Sequence, residues 1–455
     1  MSNKPSTNRN FVFKNDTINI SQDFNKDLDL KSIAEWIACG FFLGDKNFIM
    51  QKYGEKEKYT FESKWYYEPK SISFDDAVEE FAFLFEKIIH ENTCEKNIIL
   101  PLSGGLDSRT IAVALRNKEN VTTYSYEFEN GIAETKYAKK VSKVMGWSFH
   151  EFIIPKGYLW EKIEEIAKIN SCQSDFVNPR QMAVIHKVAQ FGDCIISGQW
   201  GDVLFDIPKI RESADVEEQA KYTFKKIVKP GGLELSKKLW EEWGYPGQFE
   251  NILLERIYEL LFQIKIDNPS RRILAFKSLH WAQRWANPNL KIFSAHSELI
   301  VPYYDDRICD FICKIPDEFL KDRKIQIQYI KSMVPSLAKI PWQVYDLNLY
   351  KFKYFNNLYF FRRVYRFLFR KIKENLFASS IVVQRNWEIQ FLGEENIKHL
   401  EDWILKNNKL KNIVSEKLTK KFYNRFLNQN QNFYSHPISM LLTLSVWCNK
   451  FWKKK

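Results

Sequence analysis

The sequence predicts an α/β protein in which a parallel, doubly wound sheet is followed by a helical C-terminal half. Two observations lead to this prediction. Between Asn97 and Ser197, four short apolar runs of strand character alternate with helical segments of about 10–15 residues, an alternation typical of βαβ units. Beyond residue 210 the periodicity is helical, and no comparable alternation returns. Ligands of such a sheet bind beyond the carboxyl ends of its strands.

The individual elements follow from periodicity and from turn residues. Residues 75–92 form an amphipathic helix, because apolar side chains recur every three or four positions, and 32–42 show a similar pattern. The predicted strands lie at 97–102, 122–128, 148–154 and 193–197, and the helices between and after them at 109–117, 134–145, 158–170 and 178–190. The segment 228–247 contains Pro and Gly and is predicted to be an insertion loop or lid. Further helices are predicted at 257–264, 308–312, 358–372 and 437–452.

Composition limits the class of protein. The chain has 455 residues and a formal charge of +12, so its surface favours anionic partners. Lysine is spread along the chain instead of forming one stripe, so nucleic acid is not expected as a partner. Seven cysteines without a CxxC pair are interpreted as reduced, mostly buried thiols. No signal peptide and no apolar run of about 18 residues are found, which predicts a cytoplasmic protein without a membrane span.

A glycine loop, Ser103 to Ser108 (SGGLDS), lies between a predicted buried strand and a helix. Its adjacent glycines let backbone N–H groups approach a phosphate, and the serine hydroxyls and the following helix N-terminus add donors. Asp107 beside this anion site requires a cation between it and the phosphates, and we assign it to Mg²⁺. The loop lacks the GxxxxGK[ST] pattern of a Walker P-loop. In the alternative interpretation it is a tight turn, with Asp107 capping the helix.

This loop, taken with Leu102, resembles the pyrophosphate loop of N-type ATP pyrophosphatases, and specifically of asparagine synthetases. A second loop, 197–202 (SGQWGD, followed by Leu204 and Phe205), is similar to the SGEGSDELF loop of that family. The segment 298–306 (ELIVPYYDD) resembles the family's Glu-x-Arg-x-Pro-Phe-x-Asp segment, and 437–452 its final helix. The resemblance covers about residues 75–455.

The resemblance implies that the cofactors are ATP and Mg²⁺, and it implies a role for each matching residue. Pyrophosphate and its metal ion would be held by Ser103, Gly104, Gly105, Asp107 and Ser108, with Asp202 as the second metal-binding carboxylate. AMP would lie near Leu102, Tyr126, Ser197 and Gly198. The family also places a lysine against the leaving phosphate, and Lys351 or Lys353 is the candidate for this role.

The chain departs from the family at two places. Gln199 stands where the family has a catalytic glutamate, and a neutral amide cannot act as a general base. Either another carboxylate, Glu134 or Asp206, acts as the general base, or the nucleophile depends less on a general base than ammonia does. Glutamine-dependent relatives use an N-terminal cysteine, whereas this chain begins Met-Ser-Asn, and about 70 residues are too few for a glutaminase domain. We therefore expect no glutaminase activity in cis.

The expected architecture has a small N-terminal cap, or a reduced relic of the glutaminase domain, at 1–74. The synthetase domain at 75–455 would combine an α/β nucleotide-binding part, 75–210, with a helical part, 250–455, and hold the active site in the cleft between them. The aromatic side chains Trp281, Trp285 and Phe293 are interpreted as core of the helical part, with substrate stacking as the less favoured alternative.

The resemblance implies ATP-dependent amide-bond formation, in which a carboxylate is adenylated, pyrophosphate leaves, and ammonia or an amine attacks. The carboxylate would belong to a small molecule or a peptide, and a separate partner protein is a possible supplier of it. Amidation of aspartate or a sugar acid and closure of a lactam or macrocycle remain open. Two other classes compete: a tRNA-modifying ATP pyrophosphatase, supported only by the charge of +12, and a catalytically degenerate ATP-binding partner protein, suggested by Gln199.

Overall fold

A computed structural model describes residues 28–49, 65–131, 135–355 and 383–452. At its centre lies a five-stranded sheet in which every pair of neighbouring strands is parallel. The strands are β1 (Ile98–Pro101), β2 (Val121–Phe128), β3 (Ser148–Ile154), β4 (Cys194–Ile196) and β5 (Glu298–Ile300). The predicted α/β class, with a parallel sheet and a helical second half, is confirmed.

The strand order is β3-β2-β1-β4-β5, so the chain moves outward from β1 to β3 and then crosses to the other side of β1. The direction of winding therefore reverses between β1 and β4. These two strands pair in parallel, with Ile98 opposite Cys194 and Ile99 opposite Ile195. Both strands are fully buried apart from Pro101, as expected for central strands covered on both faces. The loops that follow β1 and β4 lie side by side at this reversal, where doubly wound sheets bind their ligands.

Helices cover both the sheet and its connections. In the first half they are α1 (Leu30–Cys39), α2 (Phe74–Thr93), α3 (Leu106–Ala114), α4 (Thr135–Met145), α5 (Tyr158–Asn170), α6 (Ile185–Val188) and α7 (Gly201–Leu204), with 3-10 turns at Arg180–Ala183 and Ala189–Phe191. The start of α2 is fixed by Ser73, whose side chain accepts a hydrogen bond from the Asp76 backbone N–H at 3.1 Å. Its apolar stripe is buried, which confirms the predicted amphipathic helix.

The second half is built from further helices. They are α8 (Val216–Ile227), α9 (Pro230–Glu242), α10 (Phe249–Phe262), α11 (Pro269–Phe276), a π-helix (Lys277–Ala286), α12 (Asn287–Ser294), α13 (Asp306–Lys314), α14 (Asp317–Leu320), α15 (Lys324–Met333), α16 (Pro335–Ala338), α17 (Leu349–Phe355), α18 (Asn386–Phe391), α19 (Glu394–Ile404), α20 (Glu416–Asn428) and α21 (Gln431–Lys450). Short 3-10 turns lie at Pro302–Tyr304, Lys321–Arg323 and Leu410–Asn412. The helix predicted at 358–372 lies outside the described residues.

The predicted insertion loop or lid at 228–247 is wrong, because most of this segment is the helix α9. Pro230 occupies the first helical position, where proline is tolerated since no intrahelical hydrogen bond needs its missing N–H. Gly232 is buried where α9 packs against α1 and α21, and a Cβ atom there would lie 2.8 Å from Cδ2 of His436. The glycine therefore serves close helix packing and does not break the helix.

The fifth strand was also missed. It comes from the segment for which only helices were expected, and its three residues are too few to show a strand periodicity. Because β5 completes the sheet, the second half of the chain contributes directly to it. All seven cysteines are free thiols and six of them are buried, as predicted. Within the described residues, none of the helices is long and apolar enough to cross a membrane.

Candidate active site

A cavity of about 560 Å³ opens at the carboxyl edge of the sheet, where the winding reverses between β1 and β4. Many of the residues predicted from the sequence line it: Leu102, Ser103, Asp107, Ser108, Tyr126, Gly198, Gln199 and Asp202. The remaining predicted loop residues, Gly104, Gly105 and Ser197, belong to the same two loops but are not part of the cavity wall. The fold therefore brings both sequence motifs to one site.

The first loop follows β1, and side-chain oxygens of the loop and of Gln343 accept hydrogen bonds from its backbone N–H groups. Ser103 N–H donates to Oγ of Ser108 at 3.2 Å, and Gly105 N–H donates to Oγ of Ser103 at 3.1 Å. Gly104 N–H donates to Oε1 of Gln343 at 3.1 Å. Each of these donors faces a neutral side-chain oxygen, and a phosphate oxygen is a stronger acceptor for such N–H groups.

Asp107 lies in the first turn of α3, whose N-cap is Gly105. The alternative interpretation of Asp107 as a capping residue is therefore wrong. Its Oδ1 forms an ion pair with Nη2 of Arg323 and accepts a hydrogen bond from Nε2 of Gln326 at 3.2 Å. The Asp107 side chain is still 22% exposed, on the side that lines the cavity.

The electrostatics of this carboxylate favour a cation. Burial raises the pKa of Asp107 above the usual aspartate value, Arg323 opposes that rise, and the negative charge of Asp202 adds to it. The two carboxylates line the same cavity and repel each other. A divalent cation coordinated by both would remove this repulsion, so the residues present fit Mg²⁺ with its usual one or two carboxylate ligands.

The second loop follows β4 and packs tightly against the first. A Cβ atom on Gly198 would lie 3.1 Å from the Ser108 nitrogen and 3.2 Å from Cβ of Asp107, so a larger residue would force the loops apart. Gln199 donates its backbone N–H to Oγ of Ser197 at 3.2 Å and is itself half-buried in the cavity wall. Gln199 is therefore part of the cavity surface.

A hydrogen-bonded cluster behind Asp107 holds the first turn of α3. Tyr303, in the segment 298–306, donates its hydroxyl to the Asp107 carbonyl oxygen at 3.3 Å and accepts from Nε2 of Gln326 at 3.1 Å. Arg323 donates from Nε to Oε1 of Gln326 at 2.6 Å. The sequence reasoning missed Arg323 and Gln326, because they follow Asp107 by more than 200 residues and no local pattern marks them.

A buried guanidinium connects the first loop to the segment after α16. Arg109 is fully buried, and burial lowers its pKa to about 10. Its Nη atoms donate to the carbonyl oxygens of Leu337 (3.3 Å), Ile340 (2.9 Å), Pro341 (3.1 Å) and Gly104 (3.4 Å). This arrangement places Gln343, two residues beyond Pro341, against Gly104.

The lysines and the alternative carboxylates that were predicted to take part in catalysis are not among the described residues of the cavity wall. Lys351 is exposed on α17 and does not line the cavity, and of Lys353 only the backbone, in the same helix, is described. Glu134 lies outside the described residues. Asp206 accepts backbone hydrogen bonds from Ile207 and Asp322 and is not part of the cavity wall. Their catalytic roles therefore stay predictions.

The cavity wall also contains residues that the sequence analysis assigned mainly to the core or did not assign at all. Trp281 and Trp285, interpreted as core, do pack against the core, and they also line the cavity from the π-helix. Trp281 meets Trp200 edge-on at 6.3 Å, and Arg180 adds an exposed guanidinium to the wall. Helical spacing alone cannot distinguish a core face from a cavity face, so the sequence carries no signal for these residues.

The sequence model of the family described as asparagine synthase matches residues 95–336. The matched region begins just before β1, ends in α16, and contains both loops, Arg323 and Gln326. Comparison with curated proteins gives no match. The family model covers more than half of the 455 residues and every strand of the sheet. The chain therefore belongs to the asparagine synthase family, which indicates a ligase-type enzyme that uses ATP for amidation.

Proposed function

We propose that the protein joins a carboxylate to ammonia or an amine in two steps. A carboxylate oxygen first attacks the α-phosphorus of ATP, and the bond to pyrophosphate breaks. The nitrogen then attacks the acyl carbon of the adenylate, AMP leaves, and the nitrogen loses a proton. The observation that carries this proposal is the meeting of the SGGLDS and SGQWGD loops in one cavity at the sheet reversal.

The first loop would bind the departing pyrophosphate. Its backbone N–H groups and the N-terminus of α3 offer donors and a favourable dipole to an anion. For a phosphate to reach Gly104 N–H, the Gln343 amide oxygen must move away. Mg²⁺, held by Asp107 and Asp202, would neutralise charge on the phosphates. Leu102 and Tyr126 would contact the AMP part of the nucleotide, since both line the same cavity.

Gln199 would position the nucleophile or the adenylate by hydrogen bonding, because its amide cannot take up a proton. Among the described residues of the cavity wall, the carboxylates are Asp107 and Asp202, and both are assigned to the metal ion. The predicted proton acceptor therefore remains Glu134 or Asp206, unless the nucleophile needs no general base. The substrate carboxylate would enter beside Trp281 and Trp285, where the exposed guanidinium of Arg180 can pair with it.

The proposal is tested by ATP–pyrophosphate exchange with a panel of small-molecule and peptide carboxylates. Exchange reports adenylation and does not require the nucleophile to be known. Asp107→Asn and Asp202→Asn should each lower exchange about 100-fold or more, a loss typical for removal of one charge-stabilising group. Asp402→Asn, on an exposed face of α19 and paired with Lys406, serves as the control and should keep full exchange. Normal exchange in both cavity variants would contradict the assigned roles.

A second candidate function is that of an ATP-binding partner without catalysis. It is favoured by one observation, the amide of Gln199 in the cavity wall at the position of the family's glutamate. Such a protein would bind ATP with Mg²⁺ in a calorimeter, yet the wild type would show no exchange with any carboxylate. The same panel of carboxylates therefore separates the two functions.

A further inference from the structure

A second group of side chains with ligand chemistry lies near the amino-terminal edge of the sheet, away from the cavity. Glu165 of α5, His186 of α6 and His296, just before β5, place their ligand atoms within 4.8 Å of one another. Oε1 of Glu165 is 3.0 Å from Nε2 of His186 and 3.2 Å from Nε2 of His296. No part of the proposed ATP chemistry uses these residues.

The hydrogen bonding of His296 leaves one ring nitrogen in an unfavourable position. Its Nδ1 lies 2.8 Å from the carbonyl oxygen of Ile292, which can only accept a hydrogen bond, so Nδ1 carries the proton. In the neutral ring, Nε2 then has a lone pair directed at Oε1 of Glu165, and two acceptors face each other. Either a second proton or a metal ion must lie between them.

The carboxylate of Glu165 is suited to a metal ion in this position. Carboxylate oxygens are common ligands of such ions, and Oε1 of Glu165 lies against Nε2 of both histidines. The neighbouring cation, Lys162, approaches the other oxygen, Oε2, at 3.4 Å. Oε1 therefore faces the two imidazole rings without competition from this lysine.

Two of the three distances between ligand atoms match a small tetrahedral ion, and the third, between the two imidazole nitrogens, is within 4.8 Å. With metal–nitrogen and metal–oxygen bonds of about 2.0–2.2 Å, two ligand atoms of a zinc site lie roughly 3.3 Å apart. The two oxygen–nitrogen distances above, 3.0 and 3.2 Å, are close to this value. Two imidazoles and one carboxylate suit Zn²⁺ or a similar first-row ion, whereas Mg²⁺ prefers oxygen ligands.

We propose that Glu165, His186 and His296 form a binding site for one Zn²⁺-class ion, with water as the fourth ligand. His186 is 49% exposed and Glu165 33% exposed, so the fourth position is open to solvent. The ligands come from three segments, and Glu165 and His296 are 131 residues apart. The ion would cross-link α5, α6 and the entry to β5, and it would stabilise this edge of the sheet.

The test uses the full chain after treatment with EDTA and dialysis. Titration calorimetry with ZnCl₂ measures affinity and stoichiometry, and the visible absorption of added Co²⁺ reports the coordination geometry. The wild type should bind one ion more than His186→Ala or His296→Ala, or its zinc affinity should be at least about tenfold higher than theirs. Loss of a hydrogen-bond partner outside the ligand set already lowers metal affinity about tenfold, so loss of a ligand should lower it at least as much. His90→Ala, an exposed histidine on α2, is the matched control and should bind as the wild type does.

Glu165→Gln keeps the shape of the side chain but removes its charge and one of its two acceptor oxygens, and it should also weaken zinc binding. Zn²⁺ should raise the melting temperature of the wild type but not of His186→Ala, whose exposed side chain can be removed without loss of core packing. Equal zinc binding by wild type and His186→Ala, or no binding by the wild type, would overturn the proposal. The group would then be an imidazolium–carboxylate pair. ATP–pyrophosphate exchange does not enter this test.

Discussion

Replacement of Arg109 by methionine tests how the candidate site is held together. The guanidinium is fully buried and donates to the carbonyl oxygens of Gly104, Leu337, Ile340 and Pro341. Methionine fills a similar volume but donates no hydrogen bond, so these carbonyl groups would lose a shared partner. Because Arg109 links the first loop to the segment that carries Gln343, the change should affect both stability and nucleotide binding.

The magnitude follows from the burial of the group. Hydrogen bonds from a charged donor are each worth about 1.5–3 kcal/mol, but removal of a buried charge also recovers its desolvation energy. Each buried carbonyl oxygen left without a donor costs about 1–3 kcal/mol, so after recovery of the desolvation energy the net loss over four carbonyl groups should be about 3–5 kcal/mol. Since whole domains are stable by only about 5–15 kcal/mol, this is a large fraction of the total. Arg109→Lys, with a single ammonium group, should lie between wild type and Arg109→Met.

Urea unfolding followed by tryptophan fluorescence measures this loss, since the chain contains 14 tryptophans. Arg211→Met is the matched control, because Arg211 is 66% exposed and pairs with Glu218 at the surface, and no measurable change is expected there. Calorimetry should show weaker ATP binding for Arg109→Met than for the control. If both variants unfold at the same urea concentration, the guanidinium does not hold this site.

Three further predictions concern single side chains. Gln199→Glu restores the family's carboxylate and should increase ammonia-dependent amide formation; no gain, with exchange absent in the wild type, would leave only the binding function. Gln343→Ala removes the side-chain oxygen that accepts a hydrogen bond from Gly104 N–H, so this N–H becomes available to a phosphate. ATP should then bind up to about tenfold more tightly, which corresponds to the free energy of one neutral hydrogen bond. Weaker ATP binding in calorimetry would show instead that Gln343 contacts the nucleotide. Burial raises the pKa of Glu35 from 4.5 to about 7, because the folded protein favours the protonated carboxyl group. The stability linked to this proton is therefore fully present below about pH 4.5 and is lost as the pH rises through 7. Relative to Glu35→Gln, the wild type should therefore lose about 3 kcal/mol of unfolding free energy across this range, and a pH-independent difference in urea titrations would refute the assignment.

Local pattern was sufficient for four of the five strands and for the two loops. The strand Ser148–Ile154 and the helix Tyr158–Asn170 have the bounds that were predicted, because periodicity and turn residues agree there. The SGGLDS and SGQWGD loops were located because their glycines and acidic residues are contiguous in the sequence. Their assignment to one cavity followed from the parallel topology, since the carboxyl ends of neighbouring strands meet at one edge.

The errors arose where a residue's role depends on distant parts of the chain. Proline and glycine at 230–232 indicate a loop in isolation, but their context is a helix start and a close contact between helices. The ion pair of Asp107 with Arg323 joins residues 216 positions apart, and no spacing rule connects them. The Trp281 side chain illustrates the same limit, because one helical face can serve both the core and a cavity.

The origin of β5 has a consequence for the order in which the chain can fold during synthesis. β4 pairs with β5, whose residues leave the ribosome about 100 positions later, so the edge of β4 stays unpaired until then. The ion-pair partner of Asp107 follows later still, in the turn before α15. A nascent chain or a recombinant fragment that ends near residue 210 would thus expose a hydrophobic strand edge, which favours aggregation. The α/β part that contains β1 to β4 should therefore reach its native state only together with the second half of the protein.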